Sequence, residues 1–411
     1  MNALRFLIGH LVMALCVFNF RCNAAEITLA SVPRQVARAN PELTTARFMI
    51  EEARGRNLGA GRPMNPEIEV TGRRMTEGRE GGVTVGLMQR FPVTARLRLE
   101  KAVTVAQISA AEAEVADKQR MLTAEAESMA VKVLAMRAQI HIAESQSALA
   151  DKLTEIATAR AAANESALDA GQMRLEAKQM RNSIRRMRSE IASMTESLKP
   201  MLGLSSAEAL EITGSLPPAR APAARQPDDR RPDIQAALHR ASAAGQSVDL
   251  ARAKKWDDLS AGLMVDRSKT MDEPMGLRNE TMIGVRFSIP LPFWNKNEGE
   301  IAEMTAMRAR AAAEVEALRL KAAAQAAAAR KEMQQLLPFL TENTDELLPM
   351  AKQQIERVRE AYSNNKMSLQ DLLRARDQLL MVEMSTVDAL RDFHLARIRW
   401  NAAVAGRLPD K

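Results

Sequence analysis

The sequence contains few aromatic residues and almost no cysteine. Aromatic side chains make up 3% of the 411 residues, and the two cysteines are Cys16 and Cys22. Two or three ordinary globular cores would need more large aromatic side chains, so this composition favours long, Ala-rich helices. Beyond the N-terminus there is no run of 18 or more apolar residues, which excludes the usual kind of helical membrane protein.

The charge of the chain does not point to a particular ligand. The formal net charge is +7 and the pI is about 9.6. Lys and Arg residues are interspersed with Asp and Glu and are not gathered in one basic segment, so we expect no nucleic acid as a partner.

The first 24 residues have the order of a secretory signal peptide. Arg5 precedes a short apolar run, residues 6–18, and small residues follow up to Ala24. Cleavage after Ala24 would remove both cysteines, which excludes thiolate metal sites and cysteine nucleophiles from the mature chain. Neither cysteine lies in a lipobox, so we expect no lipid anchor. An uncleaved anchor helix is the alternative.

The rest of the chain contains an internal two-fold repeat. Gly86 and Pro92 recur as Gly284 and Pro290, each 198 residues later. The predicted organisation is repeat 1 at 25–202, a Pro-rich linker at 203–232 and repeat 2 at 233–411. Each repeat reads as a helix, two strands and a long helical hairpin.

The strand prediction rests on alternation of apolar and polar residues. Four segments alternate: Ile68–Gly72, Val83–Phe91, Leu259–Val265 and Ile283–Ile289. The length of about 9 to 11 residues suits a tilted strand that crosses a bilayer. Four strands cannot close on themselves in lipid, so membrane-spanning strands would require an oligomer. Two ordinary hairpins packed on helices are the alternative.

The helical hairpins carry coiled-coil seams. Between Val93 and Lys199 there is no proline and one glycine, Gly171. Apolar residues recur every seventh position from Ile108 to Ala157, and with spacings of four and three from Met173 to Met201. Pro338 and Pro349 make the corresponding helix of repeat 2 less regular. Met at these positions indicates core packing in preference to binding of copper(I) or silver(I).

No catalytic or cofactor-binding motif is present. His141, His239 and His394 each stand alone, without a ligand partner at i+3 or i+4, and neither a nucleophile elbow nor a phosphate loop occurs. We therefore predict a protein that is not an enzyme and that binds no cofactor.

The ordered set of short motifs resembles the TolC-like outer membrane factor family, also called outer membrane efflux proteins. The matching segments are Asn40-Pro41-Glu42-Leu43, residues 60–68, Leu202-Gly203-Leu204, residues 213–217, residues 230–234, and Arg286–Pro292 with Asn295-Lys296-Asn297. Together they cover nearly the whole mature chain.

This resemblance implies a mainly α fold with a small β part. In such a fold a homotrimer would complete a 12-strand transmembrane barrel, continuous with a coiled-coil helical tunnel in the periplasm. It implies location in the outer membrane of a Gram-negative cell, in contact with lipid, and two partners: a periplasmic adaptor protein and an inner-membrane RND-type pump.

The resemblance also suggests functional residues at the ends of the helical hairpins. The periplasmic tips that contact the adaptor would be Gly171, Gln172, Met173, Arg174 and Leu175, and Asn365, Lys366, Met367, Ser368 and Leu369. Asp371 lies where relatives place an acidic residue that narrows the closed tunnel, and Arg374 replaces a second acid. A tunnel gate of Asp371 paired with arginine is therefore a hypothesis, against a solvated helix face.

The resemblance predicts a passive exit duct. The opening Asn40–Leu43 and the N-terminus without a lipid anchor are most similar to the CzcC-like branch, which exports heavy-metal cations. Drug efflux or type I secretion is the alternative, and a secreted soluble coiled-coil scaffold is a further one. Trp256, Phe293 and Trp294 lie at the strand ends expected to face the periplasm, whereas no aromatic belt is visible at the other ends.

Overall fold

A computed structural model describes residues 25–76, 79–162, 167–221, 225–272, 275–364 and 366–404. The predicted signal peptide, residues 1–24, lies outside this part. The chain forms two compact units. Unit 1 comprises the described residues of Met1–Glu42, Met121–Ala224 and Ala328–Ala402, and unit 2 those of Leu43–Arg120, Arg225–Ala327 and Ala403–Lys411.

Helices account for most of the described residues. They are α1 (Val32–Ala39), α2 (Pro41–Gly59), α3 (Arg96–Ala162), α4 (Ala167–Leu198), α5 (Pro232–Ala253), α6 (Glu298–Glu342), α7 (Leu348–Ser363) and α8 (Leu369–Val404). At 1.5 Å per residue the 67 residues of α3 span about 100 Å, as the absence of proline and glycine predicts. Among the described residues, none of the helices is long and apolar enough to cross a bilayer.

The passage from α6 to α7 is irregular, as predicted from its prolines. Pro338 lies inside α6, and a π-helical segment, Asn343–Leu347, comes just before Pro349. Proline has no N–H to donate to the preceding turn, so a wider turn is tolerated there. The Asn343 side chain is 2% exposed and donates to Thr386 Oγ1 at 3.2 Å.

Unit 1 contains a two-stranded parallel sheet that the sequence did not predict. Its strands are β1 (Ala25–Thr28) and β4 (Leu210–Thr213), with Ala25 opposite Leu210. Four residues are too few for an alternation pattern to be recognised. The Arg137 side chain of α3 donates to the carbonyl oxygen of Ile212 and so ties β4 to the helix.

A short turn holds α1 in unit 1. The 3₁₀ helix Pro200–Leu202 ends at Gly203, whose φ of 71° is the left-handed conformation that glycine adopts most easily. A Cβ on Gly203 would lie 2.2 Å from the carbonyl oxygen of Ala39. Asn40 Nδ2 donates to the carbonyl oxygen of Met201 at 2.8 Å. The segment Leu202-Gly203-Leu204 thus serves close backbone packing.

The predicted seams form the hydrophobic core. Every seventh residue of α3 from Ile108 to Ala157 is buried or half-buried, and so are the predicted seam positions of α4. In unit 1, Leu153, Met173, Tyr362 and Leu372 belong to one cluster, and each is 2% exposed or less. Met173 is therefore a packing residue.

Unit 2 contains a four-stranded antiparallel sheet. Its strands are β2 (Glu67–Arg74), β3 (Gly81–Phe91), β5 (Leu259–Asp272) and β6 (Gly276–Ser288), in the order β2-β3-β5-β6. The four predicted strands are confirmed. β5 and β6 have 14 and 13 residues, more than the predicted length, because the polar residues after Val265 also pair.

The sheet shows the internal repeat directly. Each half of the chain supplies one hairpin, and β3 pairs with β5 where the halves meet. Gly86 lies opposite Met264, which lies opposite Gly284, so the two repeated glycines share one row of the sheet.

The repeated helix opening has a packing reason in the second half. Arg231, 3% exposed, donates through Nε and Nη2 to both carboxylate oxygens of Asp233, each at 2.7 Å. Pro232 occupies the first turn of α5, where its missing N–H has no helical partner to lose.

Candidate membrane sheet and helix tips

One face of the four-stranded sheet is apolar and exposed. Val70, Val85, Val265 and Ile283 form a row across all four strands, and the next row has the same character. The exposed apolar residues of this face are Ile68, Val70, Val83, Val85, Leu87, Phe91, Leu263, Val265, Ile283, Val285 and Phe287, and Ile283 is 80% exposed. Isolated soluble proteins rarely leave so large an apolar patch uncovered.

The opposite face carries polar and charged side chains. Asp266 accepts hydrogen bonds from Arg73 Nη2 at 2.8 Å and Thr84 Oγ1 at 2.5 Å. Arg286 pairs with Glu69 at 2.8 Å on the same face. These residues line a cavity of about 460 Å³. A strand with one lipid-compatible face and one polar face has the pattern of a transmembrane β-strand.

The sheet is open within the described residues. β2 and β6 each pair with one neighbouring strand only. The free edge of each leaves backbone N–H and C=O groups without strand partners, which a hydrocarbon environment does not permit.

Aromatic residues cluster where the strands lead to the helices. Trp256 precedes β5, and Phe293 and Trp294 follow β6; their exposed fractions are 43%, 69% and 95%. The rings of Phe293 and Trp294 meet edge to face, with centroids 6.2 Å apart. Exposed aromatic rings with a polar handle are typical of membrane–water interfaces.

The turn between α7 and α8 lies where the sequence predicted it. Ser363 ends α7 and Leu369 begins α8. Lys366, Met367 and Ser368 are exposed, whereas Leu369 is buried in the unit 1 core. Asn365 lies outside the described residues.

Asp371 and Ser368 cap the start of α8. Ser368 Oγ accepts from the N–H of Asp371 at 3.3 Å, and Asp371 Oδ2 accepts from the N–H of Ser368 at 3.4 Å and from its Oγ at 2.6 Å. This reciprocal arrangement is a capping box. The hydrogen bonds from Ser368 to the carboxylate lower the pKa of Asp371, and Arg374 adds to the effect. Arg374 is exposed, and within the described residues the two side chains form no ion pair.

The predicted turn at 170–175 is wrong in position. Gly171, Gln172, Met173, Arg174 and Leu175 are helical and belong to the first turns of α4. α3 ends at Ala162 and α4 begins at Ala167, and residues 163–166 lie outside the described residues. Gly171 misled the prediction because an exposed glycine inside a helix costs only about 1 kcal/mol. Of the five residues all except Met173 are exposed.

A buried ion pair near the tips was not predicted. Arg376 of α8 is 5% exposed and pairs with Glu176 of α4, and it also contacts Asp377 Oδ1 at 3.1 Å. Arg376 lies three residues after Leu373 and four before Leu380, which is the spacing of the seam. A charged residue at a seam position is a sequence signal for a buried ion pair.

His394 has a structural environment. Its side chain is fully buried, and Nε2 donates to the carbonyl oxygen of Pro217 at 2.7 Å. Burial lowers the pKa of His394, so the ring is neutral near pH 7. His141 is exposed and His239 half-buried. The described residues contain no group of three or more His, Cys, Asp or Glu side chains placed to hold a metal ion.

Comparison with known families agrees with this arrangement. Residues 225–406 match the model of the family described as outer membrane efflux protein. The second half of the chain is therefore similar to that family. This similarity agrees with the predicted location in the outer membrane and the predicted role in efflux. No curated protein sequence matched.

The fold is shared with solved outer membrane proteins over most of the chain. CusC superposes with a TM-score of 0.76 at 16% identity, covering 92% of both chains. VceC from Vibrio cholerae gives 0.73 at 19% identity, covering 92% of this chain and 96% of VceC. The open state of MtrE from Neisseria gonorrhoeae gives 0.67 at 18% identity, covering 92% and 88%. These similarities confirm the predicted fold class, mainly α with a small β part.

Proposed function

We propose that the protein is the outer membrane channel of a tripartite efflux system. A homotrimer places four strands per chain in a 12-strand barrel, and the long helices extend into the periplasm towards an adaptor protein and an RND-type pump. The observation that carries this proposal is the open sheet with one exposed apolar face and one charged face.

Trimerisation supplies what the single sheet lacks. The free edge of β6 pairs with β2 of the next chain, so all backbone groups in the hydrocarbon layer gain partners. The apolar face then contacts lipid, and the face with Arg73, Asp266 and Arg286 lines a wet lumen. Eight strands leave just enough interior for side chains, so twelve leave room for water and solutes.

The helix tips are the proposed contact with the adaptor. Lys366, Met367 and Ser368 are exposed and close to the capped start of α8. On α4 the exposed residues of the first turns, among them Arg174 and Leu175, present a second surface. An adaptor that binds the open arrangement better than the closed one shifts the population towards open. A gate that involves Asp371 and Arg374 is part of this proposal.

Heavy-metal cations are the proposed cargo, because the Asn40–Leu43 opening is most similar to the CzcC-like branch. The lumen face carries both signs of charge, which suits a passive path in preference to a tight binding site. The pump would select the substrate, and the duct would supply only the exit.

Two measurements test the proposal. Purified protein in detergent should be a trimer and should form ion-conducting pores in planar bilayers, whereas a monomer that is soluble without detergent would contradict the channel. A deletion strain should become sensitive to heavy-metal cations and regain resistance with the wild-type gene. Sensitivity to drugs alone would agree with an efflux channel but would contradict heavy-metal cations as its cargo.

A further inference from the structure

A group of cations lies at one end of the apolar face of the sheet. Arg267 of β5 lies opposite Val83, and Lys269 of β5 and Arg74 of β2 both lie opposite Gly81. Because side chains alternate along a strand, these three cations are on the same face as Val83 and Val265. Arg79 lies in the adjoining turn. All four are exposed and line a cavity of about 680 Å³. We call these four residues the outer basic cluster.

The outer basic cluster has little negative charge around it. None of its four cations forms an ion pair with another described residue, and no described Asp or Glu shares its rows of the face. Glu80 lines the same cavity, but its carboxylate accepts the backbone N–H of Met271 at 2.7 Å. By contrast, Arg73 on the other face is paired with Asp266.

The position of the cluster matches the boundary of a membrane. Arg267 is eight residues along β5 from Leu259, which pairs with Phe91 at the aromatic end of the sheet. Eight residues span about 27 Å along a strand, or about 20 Å along the normal at a tilt near 40°. Lys269 lies two residues further, at about 26 Å, so the two cations lie on either side of the end of an apolar band about 25 Å tall.

On the proposed function, the hairpin ends of the strands face the outside, because the other ends lead to the periplasmic helices. We propose that the outer basic cluster binds a phosphorylated glycolipid of the outer leaflet. Its acyl chains lie along Val83, Val265 and Ile283, and its phosphate groups lie between Arg74, Arg267 and Lys269. The cations lie on β2 and β5, on either side of β3, and this spread favours a headgroup with more than one phosphate.

The proposal also gives a reason for the missing outer aromatic belt. At this end of the sheet, cations that pair with phosphate replace the aromatic residues that mark the other end. Part of the surplus of basic residues in the chain is located here.

The test uses the full-length trimer in nanodiscs of phosphatidylcholine, titrated with lipid A that carries two phosphates. One basic side chain near an anionic surface changes affinity about fivefold, so the triple variant R74Q/R267Q/K269Q should bind about a hundredfold more weakly. The matched variant K178Q/R186Q/K331Q removes three exposed cations of helices and should bind as the wild type does. If the triple variant does not insert, R267Q alone should show a fivefold loss.

Three results would overturn the proposal: equal affinity of the triple variant and the wild type, equal binding of dephosphorylated lipid A, or equal binding of free inorganic phosphate. Conductance of the wild-type trimer is measured in the same nanodisc preparation after transfer to a bilayer. Pores without selective lipid binding overturn this inference alone. Failure of the wild type to insert overturns the proposed function and this inference together.

Discussion

The buried guanidinium of Arg376 in α8 is paired with the carboxylate of Glu176 in α4, which joins two helices close to their tips. Removing one partner leaves the other poorly solvated and unpaired. We expect R376A to lower the free energy of unfolding by about 2–3 kcal/mol, measured by denaturant unfolding in detergent.

Two further variants check the cause of that loss. R359A removes an exposed pair with Glu356 and should cost less than about 0.5 kcal/mol. R376M combined with E176Q should restore most of the stability, since neither charge is then left without its partner. Equal losses for R376A and R359A would contradict the importance of burial.

Gly203 and Gly171 should respond to alanine in opposite directions. G203A places a Cβ against Ala39 in a left-handed backbone conformation and should destabilise by about 2–4 kcal/mol. Gly171 is helical and has open space at its Cβ position, so G171A should stabilise by about 0.5–1 kcal/mol. Destabilisation by G171A would instead indicate that Gly171 lies in a turn, as the sequence predicted. Thermal unfolding followed by circular dichroism measures both.

Asp371 should contribute to stability above its lowered pKa and lose that contribution in acid. Because the folded-state pKa lies below the ordinary value, the contribution is present near pH 5 and above and disappears as the pH falls through the folded-state value. Between pH 5 and pH 3 the wild type should therefore lose more thermal stability than D371N. S368A removes the cap and should cost about 1 kcal/mol at pH 7.

The same variants separate the cap from a gate. If Asp371 only caps α8, D371N and S368A change stability and leave single-channel conductance as it is. If Asp371 narrows the tunnel, D371N alone raises the conductance. If D371N leaves both the conductance and the leak of antibiotics through the channel unchanged, the hypothesis that Asp371 forms a gate is wrong.

His394 should make the protein less stable in mild acid. Burial lowers the pKa of His394, so the unfolded chain binds a proton more readily than the folded one, and stability falls as the pH drops from about 7 towards 5. H394Q keeps a donor for the carbonyl of Pro217 and should show a smaller fall. Burial raises the pKa of Glu127, which titrates in both proteins and cancels in the comparison. H141Q changes an exposed ring and should behave as the wild type.

The two faces of β5 should tolerate charge differently. V265K puts a cation on the apolar face and should reduce membrane insertion by an amount equivalent to about 2–4 kcal/mol. M264K changes the adjacent residue on the charged face and should insert nearly as well as the wild type. The folded fraction is read from heat-modifiable mobility in gels. Equal insertion of the two variants would contradict the assignment of the faces.

Periodic features of the fold could be predicted from sequence. Alternation placed the strands around Val85 and Ile283 because a two-residue period fixes which side chains share a face. Heptad spacing placed the core residues of α3 and α4, because a seven-residue repeat keeps the apolar side chains on one face of a helix. The parallel pair β1 and β4 could not be predicted, because four residues carry no usable period and the partners are far apart in sequence.

The site residues were harder to predict than the elements. Glycine was taken as the turn signal, so the first turn was predicted at Gly171, which lies inside α4. The Arg376–Glu176 pair depends on how α4 and α8 pack against each other, and a local sequence pattern does not predict that packing. The outer basic cluster became visible only when strand register put Arg74, Arg267 and Lys269 on one face.

The pairing of β1 with β4 has a consequence for the order of folding. Ala25 and its partner Leu210 are 185 residues apart (210 − 25). The first strand therefore stays unpaired until the whole first half of the chain and β4 itself are available to fold. Closing a loop of that length costs entropy before any contact repays it, so docking of β1 belongs among the slow, late steps.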